Sequence, residues 1–539
     1  MLLESPAEVV LSLKPECLPF SAVPHTTKLF ADYVAKAETV RAFYPAGFGP
    51  RAPKDFPAER RRAVADILEK QNRAWGASAA TLENIARLRE GAAAVVTGQQ
   101  VGLFGGPLFA LYKALTAIKL AVEESKAGRP AAPIFWLATE DHDLAEVNHA
   151  TLLTADMQLV RVQTPTRAHD NAPMSAVRLG EEIAPVVAQA LEALGSSEAS
   201  EALREAYRPG ETLGSAFAKL YSKLFAHSGV ILLDASDPEL HRLAAPIYLA
   251  ALDRCSELHD ALAARDRELE KAGYHAQVKN VASHTLLFGK PNGARLPLRR
   301  SNGAFVLGDE KLSAAEIRGR VERNPEQFSP NVLLRPVVED HLLPTAAYVG
   351  GPAEVAYFAQ AAVVYEKLLG RVTPALARFA ATVVEPKVAK LAEKHRVKPQ
   401  ETFVGAEKFG EILAARNLPA EVEARFNTAQ AELESAIAEM QQPLAQLDPT
   451  VAKAAEKSAA KMLYQFHRVR AKAARAELRR SEELRRHAQQ MMNALYPQGH
   501  LQERQVAGIS LVARHGPQLL LTLYDAIQPA CSGHQVVSL

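Results

Sequence analysis

The stretch from Ala92 to Thr139 leaves this chain few ways to fold. Ala92 to Thr97 is a short apolar run ending in glycine, and such a run reads as a buried parallel strand. A glycine-rich loop follows, Gly98 to Gly106. Pro107 then opens the long apolar helix LFALYKALTAIKLAVEE, since a first-turn proline lacks only an N–H that has no helical partner. Pro133 to Thr139 is a second apolar run. Strand, helix and strand within about 45 residues make a βαβ unit, whose crossover is right-handed in nearly all cases.

The same alternation continues. GVILLDASDPEL, 229–240, reads as a buried strand ending at Asp234 and a capped helix; MQLVRVQT, 157–164, reads as a strand; 177–225 is largely helical. AAYVG, 346–350, is another short strand, and Gly351-Pro352 opens the helix AEVAYFAQAAVVYEKLLG. The pattern predicts an α/β fold with a doubly wound core over 1–385 and inserted subdomains at about 153–225 and 275–335.

After about residue 386 the composition shifts to Ala, Glu, Lys, Arg and Gln. Val422, Phe426, Ala429, Leu433, Ala436 and Met440 are spaced 4, 3, 4, 3, 4, a heptad seam. Pro443 and Pro449 end it, with Asp448-Pro449 as an N-cap and first-turn proline. A second helix carries Ala474, Leu478, Ser481, Leu484, Ala488, Met491 and Leu495 at comparable spacing. The two predict an antiparallel coiled-coil arm over 386–498, followed by a tail, 499–539, that packs on the core.

At 539 residues and 48% apolar, the chain can bury its core without disulfide or metal staples. Lys+Arg is 63 against Asp+Glu 61, so it is not a whole-molecule polyanion binder. Cys17, Cys255 and Cys531 match no CxxC pattern, which argues against a disulfide scaffold or zinc ribbon and for a reducing compartment. MLLESPAEVV has no basic n-region, so it is not a signal peptide. No apolar run approaches about 20 residues. These features together read as a soluble cytoplasmic chain that does not enter a membrane.

Three segments carry the chemistry. In the first, Val95 to Pro107, the glycines let a backbone approach a ligand, and the following helix N-terminus favours an anion. It is neither a Walker A motif nor GxGxxG, and a tight turn without a ligand is the alternative. The second is Glu140-Asp141-His142-Asp143 with Asn148 and His149. These groups suit general acid–base work or amine binding, or else a helix cap and a solvated turn. His142 and His149 lie seven apart, too far along a helix for one ion, so no metal site is expected. The third is Arg335-Pro-Val-Val-Glu339-Asp340-His341 followed by Tyr348-Val-Gly350-Gly351-Pro-Ala-Glu354. Glu354 either complements the helix dipole or holds a substrate amine. The arm's Lys and Arg residues alternate with Glu456, Glu477, Glu482 and Glu483, which reads as a solvated face rather than a nucleic-acid grip.

TGQQVGLFGGPLFALYKALTAIKLA, FWLATEDHDLAEVNH, RPVVEDHLLPTAAYVGGPAEVAYFAQ and LYPQGHLQER, in that order, resemble the BshC family, the cysteine-adding enzymes of bacillithiol biosynthesis. The resemblance covers essentially the whole chain. It implies a Rossmann-like core of the nucleotidyltransferase class that includes class I aminoacyl-tRNA synthetases, connecting-peptide insertions and a homodimerising coiled-coil arm. The implied reaction joins the carboxyl of L-cysteine to the amine of glucosaminyl-malate, with ATP as the source of activation, ADP or AMP as its product and magnesium as a possible companion. On this resemblance Gly98, Gln99, Gln100, Gly102, Gly105 and Gly106 cradle an anion. Asp141, His142 and Asp143 orient the amine and accept its proton, with Asn148 and His149 beside them. Glu339, Asp340, His341, Tyr348, Gly350, Gly351 and Glu354 complete the pocket, and Gln502 and Arg504 lie near a nucleotide pocket between arm and core. Gln99-Gln100 stand where class I synthetases carry signature histidines. Two other classes compete: an RNA-binding protein of synthetase descent, and a coiled-coil scaffold without catalysis.

Overall fold

The computed structural model describes residues 15–53, 55–528 and 531–539. The N-terminal MLLESPAEVV lies outside them. The chain forms two compact units. One holds the described residues of Met1–Ala155, Leu159–Ala381 and Glu503–Gln535; the other holds Asp156–Gln158, Thr382–Gln502 and Val536–Leu539.

The first unit is built on a five-stranded parallel sheet. Its strands are β1 (Ala93–Gln99), β2 (Ala131–Leu137), β3 (Ile231–Asp234), β4 (Thr345–Gly350) and β5 (Ala375–Ala377), in the order β5-β4-β1-β2-β3. β1 and β2 are buried on both faces, as their unbroken apolar runs require. They pair Val96 with Ile134 and Gly98 with Trp136. The helix α1 (Leu108–Lys126) connects them, and its Ala117 and Ala121 pack on Val95, Ala131 and Val349. Small alanines there let the helix lie close on the sheet. Since β2 and β4 flank β1 on opposite sides, the strand order reverses at β1. Ligands of open α/β sheets bind outside the carboxyl ends of such strands.

Two segments interrupt the core. One begins with an antiparallel hairpin, His149–Leu153 with Leu159–Gln163, and continues in helices at Ile183–Leu194, Glu198–Ala206 and Leu213–Leu224. The other is a five-stranded antiparallel sheet spanning His284–Gly289 to Phe328–Pro330. Three further helices shape the site: α2 (Pro238–Asp253), α3 (Arg335–Leu342) and α4 (Pro352–Leu369). Asp237 caps α2 by accepting from Glu239 N at 2.8 Å. Glu354 closes the first turn of α4 by accepting from Gly351 N at 2.7 Å.

Cysteine spacing misled in one respect. Cys17 and Cys531 form a disulfide across a sequence separation of 514. The two meet because the N-terminal segment runs beside Gly533, where a Cβ would come within 2.1 Å of the Leu18 carbonyl oxygen. Only glycine permits that approach. Cys255 alone is free.

The second unit contains the arm: α5 (Ala420–Leu447), α6 (Pro449–Arg480) and α7 (Glu482–Leu495). Asp448 caps α6 through Thr450 N at 2.6 Å, as its sequence predicts. Three readings are corrected. Pro443 lies inside α5, in its penultimate turn, and does not end it. The second long helix is two, broken at Ser481, whose side chain caps α7. The face of α6 that meets α5 is the earlier one, marked by buried Ala452 and Ala459 and by Phe466, which packs edge-on against Phe426. Residues from 475 onward turn instead to the helix Ala406–Arg416, through Arg475–Glu411 at 2.7 Å and Leu478 against Gly410.

Among the described residues no helix is long and apolar enough to cross a membrane.

Candidate active site

At the carboxyl ends of β1, β2 and β4 the first unit encloses a cavity of about 780 Å³. Gly98, Gln99 and Gln100 line it, with Glu140, Asp141 and Glu146 after β2, and Gly351 and Glu354 at the start of α4. The antiparallel insertion supplies the opposite wall, including Phe288 and Arg295. Six basic side chains, Lys113, Lys279, Arg295, Arg335, Arg378 and Arg504, share the lining with four carboxylates. Such a mixed wall can hold an anionic group and an amine at once.

Gln100 organises one edge. Its Nε2 donates to Asp141 Oδ2 and to Glu146 Oε2, both at 2.7 Å. Asp141 Oδ1 also accepts from His142 N at 2.8 Å. Burial pushes the Asp141 carboxyl up, but the Gln100 amide, Arg295 and the His142 N–H outweigh it and hold the group below its usual range. Asp141 is therefore a carboxylate with a donor already on each oxygen.

A second cluster sits between α1 and α4. Lys113 Nζ donates to the Gly98 carbonyl at 2.7 Å and to Gln99 Oε1 at 2.8 Å, and pairs with Glu354. Tyr348 donates to Glu354 Oε1 at 2.6 Å. Burial raises the Glu354 carboxyl, yet Lys113, Tyr348 and Gly351 together keep it ionised below its ordinary value. Burial lowers the Lys113 ammonium, and Glu354 opposes that. Arg378 makes a bidentate pair with Glu503, at 3.0 and 2.6 Å, within the same unit.

Several residues singled out from the sequence lie off the cavity lining. Gly102, Gly105 and Gly106 form a tight turn packed beneath aromatics. Tyr221 donates to the Gly105 carbonyl at 3.1 Å, and Gly105 N donates to Tyr207 at 3.2 Å. Gly105 and Gly106 have φ of +86° and +71°, which explains the glycines without a ligand. Nor is the start of α1 open, because Leu108 N donates to the Val506 carbonyl at 2.8 Å. Asp143 is the exposed N-cap of Leu144–Val147, accepting from Glu146 N at 3.2 Å. His142 Nδ1 lies 3.2 Å from Arg295 Nη1, and burial, with that cation, lowers its pKa. Asn148 Oδ1 contacts His149 Nδ1 at 3.2 Å outside the lining.

The third motif splits. Arg335 reaches the cavity, while the acidic residues after it tie α3 into the core. Glu339, buried 3.7 Å from Arg335, has its carboxyl raised by burial to about 8. Asp340 accepts from Thr373 at 2.6 Å, pairs with Arg371, and is raised by burial to about 6. His341 sits between Arg60, at 3.3 Å, and the Leu243 carbonyl, at 3.1 Å; burial lowers it to about 4. Tyr348 and Gly350 support Glu354 from behind, and a Cβ on Gly350 would lie 2.9 Å from Glu354 Cβ. Gln502 is buried in the second unit, bonded to Val383 N at 2.8 Å and to the Ala494 carbonyl at 2.7 Å. Arg504 does line the cavity.

Sequence reasoning missed Lys113, Arg295 and Arg378. Only Lys113 left a signal: a lysine amid LFALYKALTAIKLA whose neighbours on every side are apolar. Among the described residues no three His, Cys, Asp or Glu side chains are grouped to hold a metal ion.

Comparison with known proteins gives a consistent picture. Residues 13–379 match the family model "Bacillithiol biosynthesis BshC, N-terminal Rossmann-like domain". Residues 381–539 match "Bacillithiol biosynthesis BshC, C-terminal coiled-coil domain". A relative from Koribacter versatilis is 48% identical, covering 97% of this chain and 99% of its own. One from Solibacter usitatus is 38% identical, over 97% and 99%, and one from Salinibacter ruber 33%, over 94% and 96%. Each bears the name "Putative cysteine ligase BshC".

Proposed function

Because the chain belongs to the BshC family of cysteine ligases in bacillithiol biosynthesis, we propose that it joins the carboxyl of L-cysteine to the amine of glucosaminyl-malate, giving bacillithiol, with ATP supplying the activation. One observation carries the reading. One cavity at the switch point of the sheet is lined by both basic side chains and carboxylates. The reaction needs both, since it brings an anionic, activated carboxyl against an amine.

In this reading Arg335 and Arg504 hold carboxylate and phosphate oxygens, for which guanidinium groups are matched donors, while Arg295 and Arg378, fixed to Ser329 and Glu503, add positive charge. Gly98, Gln99 and Gln100 form the floor beneath them. Asp141, aligned by Gln100, orients the acceptor, and the Lys113–Glu354 pair fixes the wall formed by α1 and α4. ATP activates cysteine as an acyl-adenylate or an acyl-phosphate. The protein works as a homodimer joined through its arm, whose exposed Met462 and Val469 await a partner surface.

The test is a mass-spectrometric assay with L-cysteine, glucosaminyl-malate, ATP and magnesium. Bacillithiol with AMP is expected for an adenylate route and bacillithiol with ADP for an acyl-phosphate route. A folded protein that binds neither nucleotide nor acceptor and forms no product would overturn the reading.

A further inference from the structure

We propose that Glu140, and not the Asp141–Asp143 segment beside it, receives the ammonium group of the acceptor and takes its proton. The inference rests on the acceptor reading above and assigns the residue that recognises the amine.

Glu140 follows β2 directly, lines the cavity and is only 7% exposed. Its Oε1 lies 3.3 Å from His241 Nε2 on α2 and 3.6 Å from Lys290 Nζ at the end of strand His284–Gly289. Yet neither Oε1 nor His241 Nε2 has a hydrogen bond. Oε1 thus has a cation and an imidazole close by but no donor in hydrogen-bonding geometry, which is rare for a buried carboxylate oxygen and calls for a reason. The neighbouring acids offer no such opening: Asp141 is held by Gln100 and His142 N, Asp143 caps a helix, and Glu354 has three donors. An alkylammonium, with three N–H donors, supplies what Glu140 lacks.

His241 acts through Glu140 as a positioning residue. Tyr248 lies 3.0 Å from its Nδ1. A hydroxyl donating there leaves the ring proton on Nε2, on the Glu140 side but out of hydrogen-bonding line with Oε1. The ring is neutral, because burial and the Lys290 cation depress its pKa to about 3. Around Glu140 the charged and titratable groups are Asp234, His241, Tyr248, Lys290 and Arg295. Burial raises the Glu140 carboxyl, with Lys290 and Arg295 opposing and Asp234 adding to it. A carboxylate so poised is a better proton acceptor than Asp141.

The step balances simply. One proton passes from the ammonium to Glu140, leaving a neutral amine. Its lone pair forms the C–N bond to the cysteinyl carbonyl of a mixed carboxylic–phosphoric anhydride. The acyl C–O bond breaks, and its electron pair leaves with the phosphate-type oxygen, which takes the second amine proton.

The test compares glucosaminyl-malate with glucosyl-malate, in which a hydroxyl replaces the amine, by calorimetry on the full-length protein. Wild type should prefer the amine about tenfold, a difference of about 1.4 kcal/mol. Glu140→Gln should erase that preference, leave glucosyl-malate affinity within about twofold, and slow product formation at saturating acceptor by about a hundredfold. His241→Leu should weaken the preference and His241→Gln, which keeps a donor, should restore it; this pair decides the matter if Glu140→Gln fails to fold. Retention of the preference or of turnover in Glu140→Gln overturns the proposal and leaves the acceptor reading standing. Equal binding of both compounds to wild type does the same. If wild type binds neither, the acceptor reading itself fails and this proposal with it.

Discussion

Lys113, from the middle of α1, pairs with Glu354 in the first turn of α4, and so ties together the two helices that follow β1 and β4. Lys113 is only 2% exposed, and its ammonium also closes onto the ends of Gly98 and Gln99. Removing one partner of a buried pair leaves the other charge uncompensated. Lys113→Met should therefore cost about 3–5 kcal/mol in stability. The Lys113→Met, Glu354→Gln double variant should recover part of it. Denaturant unfolding followed by tryptophan fluorescence reads both, since Trp136 lies on the same cavity wall. A single variant as stable as wild type would show that the pair does not organise this wall.

Glu339 gives a pH signature of opposite sense to an ordinary salt-bridged acid. Burial raises its carboxyl to about 8, against about 4.5 in an unfolded chain. Between those values the native state keeps a proton that the unfolded state has lost. Stability therefore falls as pH rises through this window and levels off above about pH 8. Glu339→Gln removes the dependence. Relative to wild type the variant should gain on the order of 3 kcal/mol between pH 4.5 and 8, and nothing below that window. Parallel melts across pH check it; curves that stay parallel would refute it.

The parts legible in the sequence were those where one physical demand dominates. β1 and β2 are buried on both faces, so their apolar runs announce them, and Asp448-Pro449 carries its own capping chemistry. The site was half legible. Gly98, Gln99, Gln100, Asp141, Gly351, Glu354 and Arg504 do line one cavity. Gly102, Gly105 and Gly106 do not, because the positive φ of Gly105 and Gly106 and the close approach of Gly102 to Gly106 demand glycine as strongly as a ligand would. Arg295 comes from an inserted sheet and Arg378 from just past β5. Nothing local in either segment marks it as facing β1. Glu140 was lost among four consecutive polar residues whose orientations only the end of β2 determines.

The Cys17–Cys531 bond makes a prediction that thiol chemistry reads directly. Alkylation of the unreduced, unfolded chain should label only Cys255, and reduction should expose all three cysteines. A cross-link spanning a separation of 514 restricts the unfolded chain strongly. Cys17→Ser should therefore lose about 2–5 kcal/mol under oxidising conditions and nothing under reducing ones. Gly533→Ala should destabilise in both, because its Cβ would press on the Leu18 carbonyl. Three labelled thiols in the unreduced protein would rule out the bridge.

The arm predicts the oligomeric state. Within it α5 and α6 already pack Phe426 against Phe466, yet Tyr464 and Val469 remain 60% and 56% exposed, and Met440 and Met462 50% and 43%. A second arm is the occupant we expect for the face that carries Met462 and Val469, seven apart on α6, since such apolar pairs match their own kind. Replacing both Met462 and Val469 by glutamate removes two contacts worth about 1.5–3 kcal/mol each when fully buried. The dissociation constant should rise by roughly a hundredfold or more. Light scattering behind size exclusion should then show wild type as a dimer and the variant as a monomer, with the helical circular dichroism of the arm unchanged. A monomeric wild type at micromolar concentration would instead leave this face to a different protein.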